Sequence, residues 1–171
     1  VSDGHPDKVA DQISDALVDA GLKNGDETSR VAVETLVTTN HVTVAGEVKD
    51  FNVDNVEAII REKVKDIGYE QDGFHWENLK IYNKIHAQSG DIGLGTDDFG
   101  AGDQGIMFGY ASNENDAYMP APIYYSHEIL KKLREMRLDG YDFLLPDAKS
   151  QVSVEYKGGS VARVDQIVVS S

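Results

Sequence analysis

Between Gln88 and Gly105 the apolar patterning of the rest of the chain stops. Glycine recurs there at positions 90, 93, 95, 100, 102 and 105, among the acids Asp91, Asp97, Asp98 and Asp103. A stretch with so few side chains to bury does not cross a core, so it limits the fold to two blocks joined by a surface segment that is expected to move. With 171 residues, 40% of them hydrophobic, each block is large enough to be a small domain with a core and is not a disordered tail. The expected boundaries are a first domain at 1–90, a glycine-rich mobile loop at 91–103 and a second domain at 104–171.

Local patterns fill in the blocks. Pro6 suits the first position of a helix with His5 as its N-cap, and Val9, Ile13, Ala16, Leu17 and Ala20 recur at helical spacing until Gly21 and Gly25. Val31, Val33 and Val37, then Val42, Val44 and Val48, alternate with polar neighbours around Thr39, Asn40 and His41, which predicts a β-hairpin. A second helix carries Val53, Val56, Ile60, Val64 and Ile67 and stops at Gly68, and Leu79, Ile81 and Ile85 predict a further strand. Beyond the glycine-rich loop the pattern predicts a short strand through Met107, Phe108 and Tyr110. A helix introduced by Pro120 and Pro122 and ended at Gly140 follows, then a hairpin, Val152 to Tyr156 and Val161 to Val169, turned at Gly158 and Gly159. The class is α+β, with repeated β-hairpin/helix units whose helices pack on mixed or antiparallel sheets as pseudo-repeat domains, although the halves share no sequence identity that would mark a repeat.

Charge narrows the partners. Lys plus Arg number 16 against 30 Asp plus Glu, a formal charge of -14 that repels nucleic-acid backbones and anionic lipid. Nucleotide remains an admissible ligand if a divalent cation and a few amides or cations offset its phosphates locally. There is no cysteine, which removes disulfides, thiol catalysis and cysteine-held zinc, and is compatible with a cytoplasmic location. No apolar run reaches the ~20 residues that span a bilayer, so neither membrane nor nucleic acid is an expected partner. The start at Val1, directly before a dense polar motif, and the abrupt end are read as signs that sequence is missing at both ends.

Four constellations carry candidate chemistry. In Gly4-His5-Pro6-Asp7-Lys8 a His and an Asp stand at the positive end of a helix whose first amides lack intrahelical partners; His5 is placed for a phosphate and Asp7 for its metal, or the pair is an N-cap and a dipole-stabilising acid. Glu34 and Glu47 fall on one face of the first hairpin in either turn register, where two carboxylates within ~8 Å invite a cation, unless the face is simply solvated. Gly100 to Gly105 matches G-x-G-x-x-G letter for letter, but it lacks the strand-to-helix setting that makes this a dinucleotide fingerprint. Its glycines fit a close approach to a ligand, with Asp103 offering a carboxylate, or an ordinary flexible connection. Lys149, in Pro146-Asp147-Ala148-Lys149-Ser150, can reach a phosphate or lie on the surface. A metal-dependent phosphohydrolase built on Asp7, Glu34, Glu47 and Asp103 is a further reading.

Taken together, Val1-Ser2-Asp3-Gly4-His5-Pro6-Asp7-Lys8, the stretch GAGDQGIMFG from Gly100 to Gly109, Met119-Pro120-Ala121-Pro122 and Pro146-Asp147-Ala148-Lys149-Ser150-Gln151 resemble the S-adenosylmethionine synthetase family, in order and over essentially the whole chain. The resemblance implies a methionine adenosyltransferase: methionine sulfur attacks C5′ of ATP, and the released triphosphate is cleaved to pyrophosphate and phosphate, with Mg²⁺ and K⁺ assisting. It implies His5 beside the triphosphate, and Asp147, Ala148 and Lys149 in the ATP site, His5 and Lys149 being catalytic. Asp7 is implied as a magnesium ligand and Glu34 as a potassium ligand, with Glu47, Gln88 and Asp103 on the methionine side. Gln88 to Asp98 would form a mobile loop over the site. Family members are longer and place active sites between subunits of a homodimer or homotetramer, so this chain is expected to lack half of its site and to be inactive alone. The competing expectation is a non-catalytic short module that binds nucleotide or metal, or pairs with a full-length subunit.

Overall fold

The computed structural model describes residues 1–91, 93, 100–101 and 103–171. The chain forms two compact units: Pro6–Ile106, the sheet unit, and Val1–His5 together with Met107–Ser171, the hairpin unit.

The sheet unit holds α1 (Pro6–Asn24), β1 (Arg30–Thr38), β2 (His41–Lys49), α2 (Val56–Ile67), the two-residue strands β3 (Glu70–Gln71) and β4 (Phe74–His75), and β5 (Lys80–Ala87). The apolar residues at helical spacing in α1 and α2 and the alternate residues of β1 and β2 meet in one core, with Ile13, Leu17, Val42, Val44, Ile60 and Val64 fully buried. The hairpin turns at Thr39-Asn40, pairing Thr38 with His41 and Glu34 with Ala45. Asn40 takes φ 48, the left-handed conformation such two-residue turns demand and Asn tolerates. β5 adds to β2 in parallel, giving the order β1-β2-β5, and α2 supplies the crossover that a parallel neighbour needs. Both ends of that pairing are pinned: Lys80 N donates to Asn40 O at 3.0 Å and Gln88 N to Val48 O at 2.8 Å.

Two local expectations change here. Helix α1 runs through Gly21 to Asn24, so of the two glycines expected to close it Gly25 does and Gly21 does not. Gly21 is buried because Val31 and Phe51 press on it, and an added Cβ would lie 2.6 and 2.8 Å from their side chains. The small hairpin β3–β4, turned at Asp72-Gly73 with Gly73 at φ 83, was not anticipated.

The hairpin unit contains α3 (Ala121–Leu138), β6 (Lys149–Lys157) and β7 (Ser160–Ser170). β6 and β7 pair antiparallel around Gly158-Gly159, both at positive φ, and α3 packs on β6, burying Ala121, Leu130, Leu144, Ala148 and Val152. The short strand expected through Met107, Phe108 and Tyr110 does not form. The segment has no strand partner among the described residues, and Met107 and Phe108 are each 89% exposed. Alternation alone does not create a strand where there is no edge to pair with.

Candidate functional site

In the hairpin unit the segment Ser2 to His5 is fastened to the loop that precedes β6. Ser2, 8% exposed, donates its N–H to Ala148 O at 2.9 Å, while its hydroxyl Oγ donates to Pro146 O and accepts from Ala148 N, each at 2.8 Å. Gly4 lies so close to Pro146 that an added Cβ would sit 2.4 Å from the Pro146 carbonyl carbon and oxygen. Asp3 is held by Arg134 Nε at 2.8 Å, with an Arg137 nitrogen at 3.9 Å. This clasp binds the half-buried His5, whose N–H donates to Ser2 O at 3.2 Å, into the same unit as Asp147, Ala148 and the exposed Lys149 at the start of β6. Beside Lys149, Asp147 Oδ1 and Ser150 Oγ are buried with no hydrogen-bond partner among the described residues. Buried polar atoms are nearly always satisfied, so these two oxygens keep hydrogen-bonding capacity for water or a ligand.

The remaining candidates belong to the sheet unit. Asp7 is exposed in the first turn of α1, where a carboxylate complements the helix dipole. Its neighbour Lys8 donates to Asp11 at 2.6 Å, and that hydrogen bond and charge hold the ammonium above the ordinary lysine range. Glu34 and Glu47 share the sheet face turned away from the core. Glu34 stands opposite Ala45, two residues from Glu47 along β2, and Glu47 is flanked by Ala32 on β1 and His86 on β5. Of the turn registers left open by the sequence, the hairpin takes the one turned at Thr39-Asn40. Gln88 follows β5 and lines an open cleft of about 400 Å³ with Val48, Asp50 and Ser89, its Oε1 buried and without a partner among the described residues. Asp103 is exposed and accepts from Gln104 N at 2.7 Å. The expected mobile loop, Gln88 to Asp98, falls largely outside the described residues, which omit Ile92, Leu94, Gly95, Thr96, Asp97, Asp98 and Phe99; so does Gly102 of the G-x-G-x-x-G stretch.

Every candidate ligand is a hard oxygen, a set that suits Mg²⁺ or K⁺ and not a soft metal. Among the described residues no three His, Asp or Glu side chains converge as a metal cage. An Mg²⁺ held by Asp7 would therefore take most of its shell from water and substrate phosphate, the usual manner for this ion. Asp7, Glu34, Glu47 and Asp103 form no cluster of three carboxylates among the described residues. The Ser2 clasp and the Asp3–Arg134 contact join residues far apart in the chain and leave no local pattern, although Gly4 belongs to the Gly4-His5-Pro6-Asp7-Lys8 motif. Among the described residues no helix is long and apolar enough to cross a membrane.

The hairpin unit carries the clasp of the Ser2 segment onto the loop before Lys149, and the sheet unit presents carboxylates at a helix start and on a sheet face, both within an α+β class. The comparisons sharpen this. Residues 1–90 match the N-terminal domain and residues 98–171 the central domain of S-adenosylmethionine synthetase. Among curated relatives, the S-adenosylmethionine synthase of Paramagnetospirillum magneticum is 59% identical over 99% of this chain, and those of Rhodospirillum centenum and Granulibacter bethesdensis are 55% and 53% identical over all of it. The chain belongs to the S-adenosylmethionine synthetase family. It spans about half the length of these relatives, 46% of each.

Proposed function

We propose that the protein carrying this chain makes S-adenosylmethionine from ATP and L-methionine, releasing phosphate and pyrophosphate. The observation that carries the reading is the clasp of the His5 segment onto the Pro146–Lys149 loop, next to two buried oxygens that lack partners. In this reading His5 and Lys149 donate to the triphosphate as charge builds on it when C5′ is attacked, which lowers the barrier by stabilising the leaving group. Asp147 and Ser150 accept or donate to the nucleoside through the atoms left unsatisfied. Glu47, Gln88 and Asp103 orient methionine, the carboxylates facing its ammonium, so that its sulfur is aligned with C5′. Mg²⁺, when bound through Asp7, and K⁺, through Glu34, supply countercharge to the phosphates and to the acidic face.

In this reading the domain boundaries are those expected from the sequence: a domain at 1–90, a glycine-rich connection at 91–103 and a central domain from 104. The partners are ATP, L-methionine and further copies of the chain, as a homodimer or homotetramer with sites between subunits, in the cytoplasm. The test is the protein at its full natural length, incubated with ATP, methionine, Mg²⁺ and K⁺ and assayed for S-adenosylmethionine by mass spectrometry. Product that is lost in His5→Ala and Lys149→Ala supports the reading. Phosphate release that ignores methionine, with no S-adenosylmethionine formed, overturns it.

A further inference from the structure

The Ser2 hydroxyl joins the His5 segment and the Lys149 loop through hydrogen bonds in both directions. It donates to Pro146 O and accepts from Ala148 N, the two peptide groups that flank Asp147. The Ser2 backbone adds its own bond to Ala148 O, and Gly4 admits the Pro146 backbone at a distance no other residue allows. A hydroxyl with two fixed partners on a peptide has a single orientation, so the spacing and twist between the two strands of the clasp are set by this atom. His5 follows Ser2 by three residues and Lys149 follows Ala148 by one, so both candidate donors inherit that spacing. Buried at 8% exposure, the hydroxyl does not itself face a substrate.

We infer that Ser2 is a positioning residue, whose hydroxyl holds His5 and Lys149 at the separation that lets one polyphosphate engage both. The inference rests on the assignment of these two residues to the triphosphate made above. A polyphosphate bridged by two fixed donors gains from each only while the other is in place, so their contributions are coupled; if the clasp loosens, each donor follows its own backbone and the contributions become independent. A serine that merely stabilised the fold would lower the melting temperature and leave the coupling unchanged.

The experiment is a double-mutant cycle on the protein at its full natural length. Tripolyphosphate with Mg²⁺ is titrated calorimetrically into the protein, His5→Ala, Lys149→Ala and the double variant, first with Ser2 and then in Ser2→Ala. With Ser2 in place, the double variant is expected to depart from the product of the single effects by about fivefold or more; in Ser2→Ala the departure falls to within about twofold, the ordinary scatter of independent sites. Ser2→Thr keeps a hydroxyl and retains the coupling, and Ser2→Val, its isostere without one, loses it; this pair decides the matter should Ser2→Ala not fold. A coupling that survives in folded Ser2→Ala or Ser2→Val, or that is absent when Ser2 is present, overturns the positioning role and leaves the phosphate site standing. Failure of the unaltered chain to bind tripolyphosphate overturns the site assignment and the positioning role together.

Discussion

At Gly46 the backbone takes φ 147, and a Cβ would fall 1.9 Å from Ala32 O on the facing strand. No rotamer relieves that clash, because both atoms belong to the backbone of the hydrogen-bonded β1–β2 pair. Gly46→Ala is therefore expected to lower unfolding free energy by about 3 kcal/mol, read as a shift in the urea midpoint at unchanged slope. A change under ~0.5 kcal/mol, the size of an ordinary surface substitution, would show that the close approach is not maintained. The residue next in line is Glu47, so the same substitution is expected to displace a proposed methionine contact. This scale also shows where sequence reading stops. His5, Asp147 and Lys149 were legible because they stand in long, specific strings, and the shared face of Glu34 and Glu47 followed from the two-residue period of a strand. Ser2 stands in one of those strings, but its contacts were not legible, since its partners lie more than 140 residues away and a pairing between such distant segments leaves no local mark.

Among elements, the helices and both long hairpins were readable because each repeats its own apolar period. The parallel docking of β5 was not, since pairing between distant segments leaves no local mark, and β3–β4 is too short to carry a period. Two contacts show how elements are held by single side chains. Arg61 of α2 donates to three backbone carbonyls of the segment that leads into β5, Trp76 O at 2.7 Å and Glu77 O and Leu79 O at 2.9 Å. Arg61→Ala should cost about 2–3 kcal/mol in urea unfolding because those carbonyls lose a charged donor, whereas Glu57→Ala, which removes only the exposed partner of the ion pair, should cost less than ~1 kcal/mol. Equal costs would mean that the ion pair, and not the carbonyl clamp, carries the stability. At the start of α3, Pro120 offers no side-chain cap, and Glu114 replaces it by accepting from Ala121 N and from the Tyr156 hydroxyl, each at 2.8 Å. The Ala121 amide first and then the Tyr156 hydroxyl hold the Glu114 carboxyl below the usual range, and the carboxylate raises Tyr156 above its own. A depressed carboxylate contributes stability above its unfolded pKa and loses that contribution as pH falls through the lower folded value. The melting-temperature gap between the protein and Glu114→Gln should accordingly be present at neutral pH and close on acidification below about pH 4. A gap that is constant with pH would assign the effect to shape instead of charge.

For the molecule as a whole, the governing quantity is the formal charge of -14. A field of that sign opposes a free triphosphate, and the His5 and Lys149 donors are few to set against it. Mg²⁺ removes two negative charges from ATP before it arrives and gives Asp7 something to hold, so metal and nucleotide are expected to bind as one unit. Calorimetric ATP affinity of the chain at fixed ionic strength should then fall by about tenfold or more when Mg²⁺ is chelated, a loss of ~1.4 kcal/mol or greater. In Asp7→Asn most of that difference should vanish, because the metal loses its protein ligand while the long-range field changes by only one charge among many. The pattern separates two causes that a simple loss of binding confuses. A metal effect that persists in Asp7→Asn would place Mg²⁺ on the nucleotide alone, acting by countercharge. An ATP affinity indifferent to Mg²⁺ in the unaltered chain would mean that local amides and cations overcome the acidic field unaided, which the composition argues against and the proposed metal role at Asp7 does not survive.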